Sequence, residues 1–312
     1  MQINIDDKLL PAFLEQAQQK KQDLDQYLNF LLSQLEGKIT QQSQFKVSIK
    51  TKIKLAKLVI AKALREYGSE NVCVAWTGGK DSTLILEFVR AVVKEENLEM
   101  PETMFINEGH IFEEIAAFVK EWQSKWKLVV HEVQNTDVSS KAKKVGDPVI
   151  VAELDEVNRT EVKRLGYKEK TFPFEPESYV GNHLMKTVAM NRFLSTKKFK
   201  AVITGIRWDE QDARATETYF SPRGDKFTPA HTRIHPILHF TEKEIWEAIM
   251  LLKVPFCSLY KEGYRSLGAK GTTKKAGSKP AWEQDFDKVK ERAGRRQDKE
   301  GIMANLRKLG YM

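Results

Sequence analysis

The run Ala75-Trp76-Thr77-Gly78-Gly79-Lys80-Asp81-Ser82-Thr83 contains the residue types of an anion cradle. Its two glycines let the backbone approach a ligand closely, and successive amide N–H groups can point the same way. The hydroxyls of Thr77, Ser82 and Thr83 add donors. Lys80 can neutralise phosphate charge, and Asp81 can hold a hydrated magnesium ion. A plain tight turn would need neither Lys-Asp-Ser nor the flanking hydroxyls. The run is not a Walker-A loop, because Asp81 stands where that loop has Ser or Thr after its Lys. Arg207 and Arg214 lie seven positions apart and would share one face if the chain between them were helical. Two guanidiniums on one face beside a phosphate loop make a bidentate oxyanion site. Asp209 and Glu210 can orient those arginines or a metal, and Arg265, on a Gly-bounded loop, is a third candidate cation.

These residues need elements to hold them. Residues 71–76 form a short apolar run that reads as a buried strand, and the periodicity of 83–94 predicts a helix behind it. The alternation continues with strands predicted at 103–106, 128–133 and 201–204, and helices at 112–125 and 182–194. Thr241 with Glu244 three residues later has the spacing of a capping box, and predicts a helix through Leu252. Helices are also predicted over 8–37 and over 50–67, the second ending at Gly68. Residues 135–180 are irregular and charged. Strands alternating with helices argue for an α/β fold with a doubly wound, mostly parallel sheet, whose ligands bind beyond the carboxyl ends of the strands. The chain divides into a helical extension (1–50), a nucleotide-binding α/β domain (51–240) and a helical and loop region completing the site (241–312).

The remaining chemistry-bearing residues carry less. His231, His235 and His239 recur every four residues, but Pro236 interrupts any helix there, so a structural role is favoured over metal binding. His110 follows Gly109 in a turn after the second strand. Trp76 and Trp208 are candidates to flank a ring of the ligand, although core packing is the commoner use of such residues. The stretch 270–279, rich in Lys, Gly and hydroxyls, is a solvated loop or a lid over phosphates. Cys73 and Cys257, the two cysteines of the chain, lie in no reactive motif and cannot form a disulfide framework.

With 312 residues, 41% hydrophobic and 30% charged, the chain has globular composition and enough length for a sizeable core. No stretch reaches the roughly 18 apolar residues of a membrane helix, and the acidic N-terminus is no signal sequence, so a cytoplasmic protein without membrane association is expected. The formal charge of +8 favours an anionic ligand, nucleotide or nucleic acid, without choosing between them.

The segment Thr77-Gly78-Gly79-Lys80-Asp81-Ser82 resembles the pyrophosphate-binding loop of the ATP pyrophosphatase superfamily, the adenine-nucleotide α-hydrolases. Phe105-Ile106-Asn107-Glu108-Gly109-His110 is similar to the Val-Asp-Thr-Gly-type element of its reductase and sulfate adenylyltransferase branch. Thr204-Gly205-Ile206-Arg207-Trp208-Asp209-Glu210, with Arg214, is similar to that branch's Gly-x-Arg-x-Asp-Glu-x-x-x-Arg signature. Ile234-His235-Pro236-Ile237, Phe240–Trp246, Gly263–Gly268 and Glu291-Arg292-Ala293-Gly294-Arg295 resemble its later elements. The resemblance implies ATP as substrate, Mg²⁺ as cofactor and cleavage between the α and β phosphates, with an acceptor such as sulfate. It implies catalytic roles for Lys80, Asp81, Arg207 and Arg214, with Asp81 also a metal ligand. Nucleotide contacts are implied for Ala75, Trp76, Thr77, Gly78, Gly79, Ser82, Thr83, Asn107, Gly109, Gly205, Asp209 and Arg265. A GTPase large subunit, of the kind the sulfate adenylyltransferase small subunit uses, or a second copy of the chain is the implied partner. Sulfonucleotide reduction is not expected, because residues 301–308 lack the cysteine those reductases use and the cysteine pairs of an iron–sulfur site are missing too. ATP-driven sulfur modification of tRNA or DNA stays open but is not favoured, and so does a non-catalytic nucleotide-binding subunit.

Overall fold

The computed structural model describes residues 48–210, 214, 217–288 and 291. The predicted helix over 8–37 and the tail at 301–308 lie outside the described residues. Helix α1 (Ile49–Tyr67) opens on Ser48, whose hydroxyl accepts the Thr51 N–H at 3.2 Å, and stops at Gly68 with φ 78°. Strand β1 (Val72–Ala75) is buried along its whole length, as a central parallel strand must be when helices cover both faces. A turn then leads into α2 (Lys80–Glu96), which buries Leu84, Ile85, Phe88, Val89 and Val92. It packs against α1.

Strand β2 (Glu102–Ile106), helix α3 (Glu113–Trp126) and strand β3 (Val130–Val133) extend the sheet on one side. On the other side stand β6 (Ala201–Ile203), β7 (Phe220–Arg223) and β8 (His231–Ile234). Among the described residues the main sheet has six strands in the order β3-β2-β1-β6-β8-β7, parallel except for β7. The predicted α/β fold with a doubly wound, mostly parallel sheet is therefore present. The order reverses direction at β1, between β2 and β6. This is the switch point at which such sheets open a crevice.

Helix α6 (Glu242–Leu252) carries the predicted capping box: the Thr241 hydroxyl accepts the Glu244 N–H, and the Glu244 carboxylate accepts the Thr241 N–H at 2.7 Å. The helix joins the same core as α1 and α2. The buried Lys52 ammonium ties it to α1, donating to the His239 carbonyl at 2.9 Å and to Glu244 at 2.7 Å.

The irregular stretch predicted at 135–180 builds a small core of its own. A two-stranded ribbon, β4 (Pro148–Ile150) against β5 (Thr171–Pro173), and helix α4 (Glu156–Arg164) enclose Val138, Val149, Leu154, Val162, Phe172 and Phe174. A composite helix α5 follows, running Tyr179–Asn182, then a π-helical stretch His183–Val188, then Ala189–Lys197. Single π turns concentrate at functional sites because they re-aim side chains off the regular α-helical faces. This one presents Lys186 to the crevice. No helix among the described residues is long and apolar enough to cross a membrane.

Candidate active site

The turn after β1 is shaped by its own residues. Gly78 has φ 73°, and a Cβ there would lie 2.8 Å from Ile115 Cγ2 on α3, so only glycine fits. The Ser82 hydroxyl accepts the Thr77 N–H at 3.1 Å and donates to the Gly79 carbonyl at 3.1 Å. The Thr83 hydroxyl donates to the same carbonyl at 2.8 Å and accepts the Trp76 indole N–H at 3.0 Å. The hydroxyls of Thr77, Ser82 and Thr83 thus fold the loop. The Lys80 backbone N–H, at the start of α2, donates to the Tyr260 hydroxyl at 2.9 Å. Gly205, after β6, lets that loop close on α2: a Cβ there would lie 3.2 Å from both Asp81 Cβ and the Ser82 nitrogen.

The result is a crevice of about 190 Å³ at the carboxyl ends of β1, β2 and β6. Nine of the sequence-predicted residues line it: Ala75, Thr77, Gly79, Lys80, Asp81, Ser82, Gly205, Glu210 and Arg214. Its apolar wall is built by Phe105, Ile106, Ile111, Ile115, Ile206 and Leu267.

The other predicted residues stand elsewhere. Trp76 is fully buried among Phe118 and Trp126, with centroids 6.2 and 6.5 Å away, and Trp208 gives its indole N–H to the Glu217 carbonyl at 2.9 Å. Neither ring faces the crevice, because each already has a core partner. Gly78 and Thr83 serve the turn itself. The Asn107 amide is spent on Glu132 at 2.6 Å and on the Gly109 N–H at 2.8 Å, which sets a bend with Gly109 at φ 81°. The next residue, Glu108, lines the crevice instead. Arg207 and Arg265 lie one layer below, and Asp209, whose side chain is still 32% exposed, pairs with Arg207 outside the crevice lining. The chain from Trp208 to Glu210 is a single 3₁₀ turn, and it separates the two arginines by depth: Arg214 lines the crevice and pairs with Glu210, while Arg207 is buried beneath.

Lys80, Arg207 and Arg265 are 1%, 0% and 1% exposed, so their charges need partners on the spot. Lys80 pairs with Asp81 at 3.1 Å and with Glu291, and donates to the Arg265 carbonyl at 3.2 Å. Arg207 pairs with Asp81, with Glu291 and with Asp209, the last at 2.9 Å. Arg265 pairs with Glu242, and the Glu242 N–H donates to Asp209 at 2.7 Å. Burial works against the charge of Lys80, but Glu291 and Glu242 overcome it and hold the ammonium more firmly protonated than usual. Burial likewise opposes ionisation of Glu291, and Arg207 and Lys80 overcome it, leaving that carboxyl below its ordinary range. Asp209 is raised by burial, with Glu291 adding to the effect. Burial pushes the Tyr260 phenol up to about 12, so it remains a neutral hydroxyl.

Sequence reading missed Glu108, Lys186, Tyr260 and Glu291 as lining groups, along with Thr204. Lys186 meets Glu108 at 3.2 Å and Glu177 at 3.3 Å. Thr204 Oγ1 lies 2.7 Å from His235 Nδ1, and the far side of that ring faces Glu217 at 3.6 Å. The other two histidines of the four-residue series take separate partners, His231 with the Pro229 carbonyl and His239 with the Tyr219 hydroxyl. The backbone of His110 accepts the Lys270 N–H at 2.8 Å, tying the Lys-rich loop to the rim. Cys73 and Cys257 are both buried, and burial raises both thiols. A single signal in the sequence pointed to Glu291, its place in the Glu-Arg-Ala-Gly-Arg run.

Asp81 is a fitting but limited metal ligand. Its two oxygens already face Arg207 and Lys80, and no group of three or more His, Cys, Asp or Glu among the described residues could hold an ion. A magnesium ion, commonly held by one or two carboxylates together with substrate phosphates, would take Asp81 as ligand only if that carboxylate gave up one of these two cations.

A family model described as the phosphoadenosine phosphosulfate reductase domain matches residues 71–275. Among curated proteins, sulfate adenylyltransferase subunit 2 of Brucella anthropi is 32% identical over 120 residues, covering 32% of this chain and 39% of its own length. The subunit 2 of a Sulfurovum species is 27% identical over 219 residues, covering 63% of each chain. The probable FAD synthase of Schizosaccharomyces pombe is 23% identical over 234 residues, covering 73% of this chain and 69% of its own. The first of these matches thus spans about two fifths of the relative's length. Among solved structures, Candida glabrata FMN adenylyltransferase superposes with a TM-score of 0.58 at 18% identity, covering 87% of this chain and 97% of the other, which shows a shared fold.

Proposed function

The chain belongs to the phosphoadenosine phosphosulfate reductase domain family of the adenine-nucleotide α-hydrolase superfamily, and from that premise we propose that it is an ATP-dependent adenylyltransferase releasing pyrophosphate. The observation that carries this reading is the start of α2: its first turn opens into the crevice at Lys80, Asp81 and Ser82, with the buried Arg207 directly behind. A helix N-terminus flanked by two fixed cations favours a polyanion, not a neutral ligand.

In this reading the β and γ phosphates of ATP sit on the turn 77–83, and the adenine lies against the apolar wall of Ile106, Ile206 and Leu267. An oxyanion acceptor attacks the α-phosphorus. The new bond joins acceptor oxygen to phosphorus, the bond to the β-bridging oxygen breaks, and its electron pair leaves with pyrophosphate. Lys80 and Arg207 stabilise the charge that gathers on that leaving group, and Arg214 with Lys186 faces the incoming anion. Magnesium, held by Asp81 together with the phosphates, would supply further charge neutralisation. No covalent intermediate on the protein is needed, and positioning and electrostatics carry the reaction.

The names of the relatives suggest two acceptors of one class, sulfate and the phosphate monoester of a flavin mononucleotide. Both are tetrahedral oxyanions. Sulfate is favoured because the more similar relatives carry that name. The designation "subunit 2" implies a partner for those relatives, so a second subunit or a second copy of the chain belongs in the assay. Exchange of labelled pyrophosphate into ATP, run with sulfate, with FMN and with neither, tests the proposal. Acceptor-dependent exchange supports it. Absence of exchange with every oxyanion and assembly, despite ATP binding, removes it.

A further inference from the structure

The phosphate seat already holds an anion belonging to the protein. Glu291 lies 211 positions from Lys80 and 84 from Arg207, yet its carboxylate bridges the two, one oxygen to the Lys80 ammonium and the other to the Arg207 guanidinium. It lines the crevice and is 8% exposed. Among the described residues the cations Lys80, Arg207, Arg214 and Arg265 are each paired with carboxylates drawn from Asp81, Asp209, Glu210, Glu242 and Glu291. The other four carboxylates pair with a cation within the loop or the layer below. Glu291, like Asp81, reaches both seat cations, but among the described residues it is the carboxylate that does so from far along the chain. The crevice volume agrees: about 190 Å³ is below the roughly 300 Å³ at which sites for small molecules begin.

We propose that Glu291 is a built-in competitor of the substrate, a carboxylate occupying the position of a phosphate, which the nucleotide must displace from Lys80 and Arg207 to bind. The inference rests on the adenylyltransferase reading for the identity of the displacing ligand, but the seat and its occupant stand without it. Displacement exchanges one anion for another at fixed cations, so the two buried charges are never left bare. The carboxylate lowers affinity for every phosphate ligand alike, including the released pyrophosphate. It thereby opposes product retention and admits only ligands whose charge exceeds its own.

The test is calorimetric titration of the full-length chain with inorganic pyrophosphate, and separately with ATP, each with magnesium, comparing wild type with Glu291→Gln. The neutral amide keeps the shape and gives up the charge. Pyrophosphate is expected to bind the variant more tightly, by on the order of tenfold or more, because a neutral amide holds the two cations less strongly than a charge-assisted carboxylate does. Equal or weaker binding by the variant overturns the proposal, and so does failure of pyrophosphate to bind either protein. Tighter pyrophosphate binding without ATP binding would retain the competitor and remove the adenylyltransferase reading. Should the variant fold poorly, amide hydrogen exchange on wild type gives the answer: saturating pyrophosphate should raise exchange in the peptide containing Glu291. Unchanged or slowed exchange there overturns it.

Discussion

The hydroxyl of Tyr260 accepts the backbone N–H of Lys80 at 2.9 Å, joining the first turn of α2 to a residue 180 positions away. Tyr260 is packed edge-on against Trp246 with centroids 5.1 Å apart, so the core of the C-terminal region sets the position of the phosphate loop. Removing that hydroxyl by Tyr260→Phe leaves a buried amide without its partner, which costs about 1–3 kcal/mol. The expected outcome is a raised KM for ATP and lower stability in urea, with the ring packing kept. An unchanged KM would show that the loop is held by other contacts.

Lys80 and Arg207 are the cations assigned to the leaving pyrophosphate. Loss of one such group in a water-poor site costs on the order of 10²–10³ in turnover. Lys80→Met should therefore reduce ATP–pyrophosphate exchange by that factor. Asp81→Ala should also suppress exchange, because it removes the bridge between the two cations as well as the proposed metal ligand. Wild-type rates in either variant contradict the assigned roles.

Gly78 makes a prediction about folding and site together. Gly78→Ala places a methyl 2.8 Å from Ile115 Cγ2 on a backbone with φ 73°. Strain and overpacking together are expected to cost about 2–4 kcal/mol. Urea unfolding should detect the loss. Gly166 has a similar φ of 71° but open space around its Cβ, so Gly166→Ala should be milder. Equal losses at the two sites would mean that the contact with α3 is unimportant.

Stability should fall on mild acidification. Burial lowers His231 to about 4 and His239 to about 3 from an ordinary 6.5, and lowers His235 as well. The folded state therefore binds fewer protons than the unfolded chain in this window, and its stability rises with pH there. The contribution is complete above pH 6.5 and is lost as pH falls toward 4 and then 3. Glu217, held low against its own burial by His235 and Arg223, adds a loss in the same direction below about 4.5. Asp209 and Glu242, raised by burial, titrate in the opposite sense. Chemical denaturation from pH 7 to 4 should give a falling midpoint, with a shallower slope in His231→Gln. A flat profile, or an identical slope in the variant, would mean that these rings are not buried in neutral form.

Much of the architecture was legible in the chain. Local signals are strong where one residue type satisfies a local need: Gly68 ends α1, Thr241 and Glu244 cap α6, and the apolar run before Trp76 is a central strand. The stretch 135–180 was not legible, because its strands have three residues each and its core forms only when α5 closes over them. Strands β7 and β8 were missed for a similar reason: β8 carries the polar residues His, Thr and Arg, of which the sheet buries His231 and Arg233 despite their polarity.

At the site, the sequence by itself determined that a glycine turn with Lys80, Asp81 and Ser82 follows a strand and opens a helix, because chain neighbours build that turn. Tertiary structure alone decided which side chains meet there. Trp76 turns into the core because its indole finds Thr83 and Trp126, and Arg207 sinks one layer below Arg214. Tyr260, Lys186 and Glu291 arrive from segments about 100 to 210 positions away. A buried cation takes whichever carboxylate the folded chain brings within reach, and no pattern of neighbours along the sequence encodes that choice.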